Sequence, residues 1–182
     1  MQPDDPAAIL ERIRSFCAYR ERSAREVKLK LTGMKVSSAR IPVFLDKLAD
    51  EGFLDDARFA RAFTLGKWRV SGWGKSRIRY ELRQNGIPEP VISAALEEID
   101  GENYRNRLQE LLVKKSEELR RKTQGRILAG TKTASSSADK KNSRNENFPG
   151  EKLELKDKLY NFAIGKGFEP DLVIEVLRET KF

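Results

Sequence analysis

Apolar residues recur along the chain at helical spacing, and one arrangement of them occurs three times. Shifting the sequence by 51 residues places Val27 on Ile78, Leu31 on Leu82, Val36 on Ile87, Ile41 on Ile92, Leu45 on Leu96 and Leu48 on Ile99. Shifting it by 81 places Ile78 on Leu159, Leu82 on Ala163, Gly86 on Gly167, Ile87 on Phe168, Ile92 on Val173 and Leu96 on Leu177. The steps of four within each set put the apolar residues on one helix face, with no alternation of the kind a strand needs. The two shifts differ by 30 residues, the length of Thr123 to Lys152, a stretch rich in Ser, Thr, Asn, Gly and Lys. Its low apolar content predicts a disordered, mobile insertion inside the third repeat.

Each repeat is expected to hold three short helices. Pro90 in "NGIPEP" and Pro170 in "KGFEPD" fit a first helical turn, whose N–H groups lack partners in any case. In the first repeat, "VSSARIPVF" offers Ser37 or Ser38 as N-cap and tolerates Pro42 early in the helix, which then stops at Gly52. Asp55 or Asp56 caps the helix that opens the second repeat, and capping accounts for this acid pair better than acid–base chemistry or a metal. The first helix of the third repeat is expected over Glu102 to Lys122, with Tyr104, Leu108, Leu111, Leu112 and Leu119 on one side. The expected division is a tail at 1–8, repeat 1 at 9–54, repeat 2 at 55–101 and repeat 3 at 102–182, with the insertion at about 123–152. A unit of this size buries too little apolar surface to be stable alone, so the fold class expected is all-α, three tandem three-helix repeats stacked in an elongated array.

Composition narrows the chemistry. Of 182 residues, 38% are apolar and 35% charged, which is lean for one globule and suits thin shared cores. No run of apolar residues is long enough to span a membrane or lead into export, so a cytoplasmic location is expected. Histidine is absent, and Cys17 between apolar neighbours has no internal disulfide partner and reads as a small core residue. Neither a catalytic site nor a metal or other cofactor is expected, and nothing resembles a coiled-coil seam, so a monomer is expected.

One motif points elsewhere. Gly74-Lys75-Ser76 matches the end of a phosphate-binding loop, but Arg69 stands where the leading glycine belongs. The preceding "DDARFARAFTLGKWRV" is helical in pattern, with Phe59 and Phe63, where that loop requires a strand. A nucleotide hydrolase is thus disfavoured.

The net charge of +8 is concentrated. Arg61 to Arg83 holds Arg61, Lys67, Arg69, Lys75, Arg77, Arg79 and Arg83 against Glu81 alone, a balance of +6; Lys122 to Lys152 adds +4, leaving −2 elsewhere. Lys75, Arg79 and Arg83 recur every four residues, one helical stripe beside the core stripe of Ile78 and Leu82. Such a stripe is often only a solvated face. Here Arg61, Lys67 and Arg69 on the preceding helix extend the field, which favours a surface for phosphates or an acidic protein. Trp68, Trp73 and Tyr80 are assigned to the core, with base stacking as the alternative. For the insertion, an inert spacer and a weak phosphate tether fit equally.

The segments "ERSAREVKLKL" (Glu21 to Leu31), "EGFLDDARFARAF" (Glu51 to Phe63) and "GKSRIRYELRQNGI" (Gly74 to Ile87) together resemble the RecX family of bacterial regulators of the RecA recombinase. The resemblance covers Ile9 to Asp100 clearly and Leu155 to Glu179 more weakly. It implies a fold of three tandem three-helix repeats, agreeing with the internal shifts. It also implies binding along the groove of the RecA filament on single-stranded DNA, modulating and usually inhibiting strand exchange, ATP hydrolysis and the co-protease activity of the SOS response. Lys75, Arg77, Arg79 and Arg83 are the expected main contact surface, with Arg61, Lys67 and Arg69 secondary. The third repeat departs from the pattern by its insertion and its fewer basic residues. The rival reading is a sequence-independent helical DNA-binding protein without a RecA role.

Overall fold

The computed structural model describes residues 5–130 and 149–180, with side chains described at 5–124 and 154–180. Every regular element among the described residues is helical: α1 (Pro6–Tyr19), α2 (Ala24–Gly33), α3 (Ile41–Asp50), α4 (Asp56–Arg69), α5 (Lys75–Gln84), α6 (Glu89–Glu97), α7 (Gly101–Gly130), α8 (Pro149–Lys166) and α9 (Pro170–Glu179). Of the stretch 123–152 expected as an insertion, α7 enters one end and α8 the other, and residues 131–148 lie outside the described residues. The chain divides into two compact units, Met1–Asp100 and Gly101–Phe182. The first holds α1 to α6 and the second α7 to α9.

The residues matched by the two shifts are the core. Val27, Ile78 and Leu159 are fully buried on α2, α5 and α8, as are Leu31, Leu82 and Ala163 one turn later. Ile41, Ile92 and Val173 occupy the same place on α3, α6 and α9, followed by Phe44, Ala95 and Val176. Side-chain size varies from repeat to repeat while burial is kept at these positions, as expected when each small core is packed by its own first helix; Leu45 differs, being only partly buried where its counterparts Leu96 and Leu177 are buried. Those first helices bury Ile13 and Cys17, Ala60 and Thr64, and Tyr104 and Leu108. Burial raises the Cys17 thiol above its ordinary value, consistent with a core role.

A single turn is used after the second helix of every repeat. Lys35, Gly86 and Gly167 have φ of 59°, 82° and 87°. Their N–H groups donate to Thr32, Arg83 and Ile164, and the next N–H, of Val36, Ile87 and Phe168, reaches back to Leu31, Leu82 and Ala163 at 3.1, 3.1 and 3.2 Å. These are the two bonds of a Schellman cap, and in each the residue after the turn covers the apolar residue that accepts its bond. Gly52, with φ 75°, ends α3 in the same way, Phe53 donating to Leu48 at 2.8 Å.

Helix starts vary more. Asp55 caps α4 as expected, its Oδ1 accepting from the Arg58 N–H at 2.9 Å. Ser23 and Glu26 form a capping box at α2. The expected cap of α3 by Ser37 or Ser38 is not found: Arg40 is the N-cap, without a side-chain bond. The Ser37 carbonyl instead accepts from the Arg40 N–H at 3.0 Å, closing a turn that delays the helix. At the other end of the repeat α1 begins at Pro6, capped by Asp5 through the Ala7 N–H at 3.0 Å, so the helix starts inside the expected tail.

Within the first unit, repeats 1 and 2 meet through a polar seam. Arg58 donates to both carboxylate oxygens of Glu21, at 3.0 and 3.2 Å, and to the Gly52 carbonyl at 2.8 Å. Arg25 donates to the Gln84 carbonyl. Between them lies Ser23, fully buried, whose hydroxyl accepts from the Glu26 N–H at 3.1 Å and donates to Asn85 Oδ1 at 2.9 Å. One hydroxyl therefore caps α2 and ties the Schellman turn of repeat 2 to repeat 1.

Three outcomes are expected in urea unfolding. Lys35→Gly, which relieves a side chain in the left-handed region, stabilises by about 0.5–1 kcal/mol, whereas Gly86→Ala destabilises by about 1 kcal/mol although no atom lies within 4 Å of the added Cβ. Ser23→Ala, losing a cap and leaving Asn85 Oδ1 unpaired, costs about 2 kcal/mol, more than a cap alone.

Candidate functional site

The candidate surface is built by α4, α5 and the start of α6. Ile78 and Leu82 turn α5 inward, so Lys75, Arg79 and Arg83 share a flank of it. The helix that precedes Gly74-Lys75-Ser76 is α4, so the strand a phosphate-binding loop requires is replaced by a helix. Gly74 is simply the N-cap of α5.

The seven expected cations fall into distinct settings. Arg79 and Arg83 converge on one carboxylate: Arg79 Nη1 meets Glu89 Oε1, and Arg83 Nε meets Glu89 Oε2 at 2.7 Å. Glu89 is the first residue of α6, where a negative charge also suits the helix dipole. The hydrogen bond from Arg83, joined by the charges of Arg79 and Arg83, holds the Glu89 carboxyl below the ordinary glutamate value. A depressed carboxylate contributes its share of stability above the ordinary glutamate range and loses it as pH falls through the lowered value, so the clamp stays closed at neutral pH. Arg61 pairs with Glu98 at 2.8 Å. These two acids, both outside the segment 61–83, bring its local balance from +6 to +4.

Lys67 and Arg77 are arranged about an aromatic ring. The Arg77 guanidinium lies 4.1 Å and the Lys67 ammonium 4.7 Å from the Trp73 ring centre, and Lys67 is also 5.3 Å from Phe63. Trp73 stands edge-on to Phe63 at 6.3 Å, and Phe63 in turn leans on Phe59 at 5.7 Å. Arg69 lies 5.8 Å from the Trp68 ring. Trp68 and Trp73 are both half-buried, sharing core packing with a cationic margin. Trp68 keeps an indole N–H without a hydrogen-bond partner. Tyr80, expected in the core, is 60% exposed: it lies about 200° around α5 from Ile78, away from the stripe that faces inward.

The sequence pattern therefore located the cations and missed their carboxylates. Glu89 lies beyond a turn, and only the packing of α5 on α6 brings it to Arg79 and Arg83. Among the described residues no group of His, Cys, Asp and Glu could hold a metal ion, and no helix is long and apolar enough to cross a membrane.

These features define a class: an all-helical protein of repeated three-helix units that carries a cationic surface backed by aromatic rings. The family model described as "RecX, second three-helix domain" matches residues 55–96, the span of α4 to α6. The regulatory protein RecX of Pseudomonas syringae pv. tomato is 35% identical over 112 residues, 62% of this chain and 71% of that protein. RecX of Prosthecochloris aestuarii is 36% identical over 100 residues, 55% of this chain and 66% of the relative's own length. The fold is shared with the crystal structure of RecX from Lactobacillus salivarius, at TM-score 0.66 and 18% identity, covering 98% of this chain and 97% of that one. A second crystal structure, of a regulatory protein RecX, superposes at TM-score 0.72 and 20% identity over 95% of this chain and 73% of that one. The chain belongs to the RecX family of regulatory proteins.

Because Glu89 engages two surface cations, Glu89→Gln is expected to tighten binding of an oligo(dT) probe. The slope of log affinity against log salt should steepen by about 0.7 for each cation released, measured by fluorescence anisotropy across a salt series.

Proposed function

We propose that this chain regulates homologous recombination by binding the RecA filament on single-stranded DNA and lowering its strand-exchange, ATPase and SOS co-protease activities, acting in the cytoplasm as a monomer and without catalysis of its own. The observation that carries this reading is the coincidence of the RecX family match, residues 55–96, with the most basic part of the chain. Lys75 and Arg77 at the start of α5 are the leading contacts, Arg79 and Arg83 act through their exchange with Glu89, and Arg61, Lys67 and Arg69 extend the field. Two families of partner group suit this surface: phosphates of the DNA and carboxylates of the recombinase. A protein that touches neighbouring filament subunits at once resists the rearrangements that accompany filament turnover, so inhibition is the expected sign.

The aromatic margin at Trp73 supports a second reading, a sequence-independent binder of single-stranded DNA with no role on RecA. The two part company in one titration. The cognate RecA is assayed for single-stranded-DNA-dependent ATP hydrolysis with this protein added well below one per recombinase, at salt that abolishes its binding to bare DNA. A fall in rate supports the filament regulator; inhibition only where the protein coats the DNA supports the second reading. Lys75→Glu with Arg77→Glu is expected to weaken filament binding by about tenfold or more with helical circular dichroism retained, and unchanged affinity would remove these residues from the contact surface.

A further inference from the structure

In repeats 2 and 3 the third helix packs directly on the first, and an arginine on the first helix bridges that seam. Arg61 of α4 pairs with Glu98 just beyond α6 at 2.8 Å, and Arg105 of α7 pairs with Glu175 and Glu179 of α9 at 2.6 and 2.5 Å. Repeat 1 has the corresponding arginine: Arg14, Arg61 and Arg105 each follow a buried residue, Ile13, Ala60 and Tyr104. It lacks the corresponding acids. The internal shifts place Val43 on Ala94 and Glu175, and Lys47 on Glu98 and Glu179. Arg14 is drawn instead to Glu51 at the C-cap of α3, one turn past Lys47, at 2.5 Å.

The consequence is an open cleft between α1 and α3 of about 740 Å³. Its floor includes Leu10 and Phe44, both buried, and its wall carries Val43, 67% exposed. Arg40 and Lys47 stand at the rim with Arg14, while Glu11, the one acid among the described residues lining it, is engaged by Arg14 at 3.4 Å. A seam closed by carboxylates in two repeats is thus apolar and cationic in the third.

We propose that the α1–α3 cleft of repeat 1 is a docking site for an acidic, apolar peptide segment of a partner protein, whose carboxylates take the places that Glu98, Glu175 and Glu179 hold in the other repeats. The charge reversal at Lys47 supplies the complementarity, and the volume suits one or two large apolar side chains. Phe44, the one aromatic side chain among the described residues lining the cleft, is buried and leaves no exposed ring for a base to stack on, which favours a peptide over nucleic acid. This surface is separate from the cations of α4 and α5 and does not depend on their proposed role.

The test uses the full-length chain, labelled with nitrogen-15, and a synthetic helical peptide of about twelve residues with Leu and Phe on one face flanked by Glu. Amides of Leu10, Val43 and Lys47 are expected to shift saturably with this peptide. A peptide with Ser in place of Leu and Phe, and an oligo(dT), should leave them unmoved. Lys47→Glu, and separately Val43→Ala, which install the residues of repeat 2, should each weaken the peptide by about tenfold while oligo(dT) affinity is unchanged and the remaining amide spectrum is preserved. No shift at millimolar peptide, or equal shifts with the Ser peptide, would overturn the proposal. So would saturation of the cleft by oligo(dT), or a concentration-dependent dimer abolished by Lys47→Glu, which would assign the cleft to nucleic acid or to a second copy.

Discussion

The turn after the second helix of each repeat carries much of the architecture. A helix of ten residues, as α2 and α5 are, leaves a large fraction of its carbonyls unpaired at its end, and the left-handed residue that follows returns two N–H groups to them. The same reversal throws Val36, Ile87 or Phe168 over the buried face of the helix it has just ended. Each small core is therefore closed by a backbone conformation as well as by side-chain volume. Repeat 1 meets this requirement with Lys35, at a conformational cost that glycine avoids in the other two.

Closure of the single repeats leaves the joint between repeats 1 and 2 to polar groups. Glu21 with Arg58, Ser23 with Asn85, and Arg25 with the Gln84 carbonyl each link an element of repeat 1 to one of repeat 2. Hydrogen bonds are directional where apolar contact is not, so such a seam specifies orientation as well as proximity. Its placement has a functional corollary. Asn85 caps the end of α5, the helix that bears Lys75, Arg77, Arg79 and Arg83, so the seam orients the cationic stripe relative to repeat 1.

Arginine serves opposite ends across the repeats. On α1, α4 and α7 it braces the seam to the third helix, as a planar donor able to serve two acceptors at once. On α5 the two arginines share Glu89 in pairs that are partly solvent-exposed, where water competes for the bond. The first arrangement stabilises the repeat; the second holds two cations side by side on the surface of α5. The cleft of repeat 1 lies between these cases, with bracing moved to the helix end and the middle of the seam left open.

Much of the fold was legible along the chain. The shifts of 51 and 81 residues named the buried columns, because a residue facing a small core has no tolerance for polarity and so keeps its apolar character from copy to copy. Capping at Asp55 and the left-handed stop at Gly52 were legible for a similar reason: both depend on chemistry within a few residues. The start of α3 was misplaced because a backbone turn from Ser37 to Arg40 won over a side-chain cap, a competition between local bonds of similar strength. Tyr80 was misassigned because aromatic character predicts burial only where the helix face agrees. The sequence by itself determined where positive charge accumulates and how many times the helical unit recurs. Which carboxylate restrains which arginine, and which seam stays open, was decided only when helices far apart in sequence were packed side by side, because an ion pair depends on distances of a few ångströms that no spacing along the chain encodes.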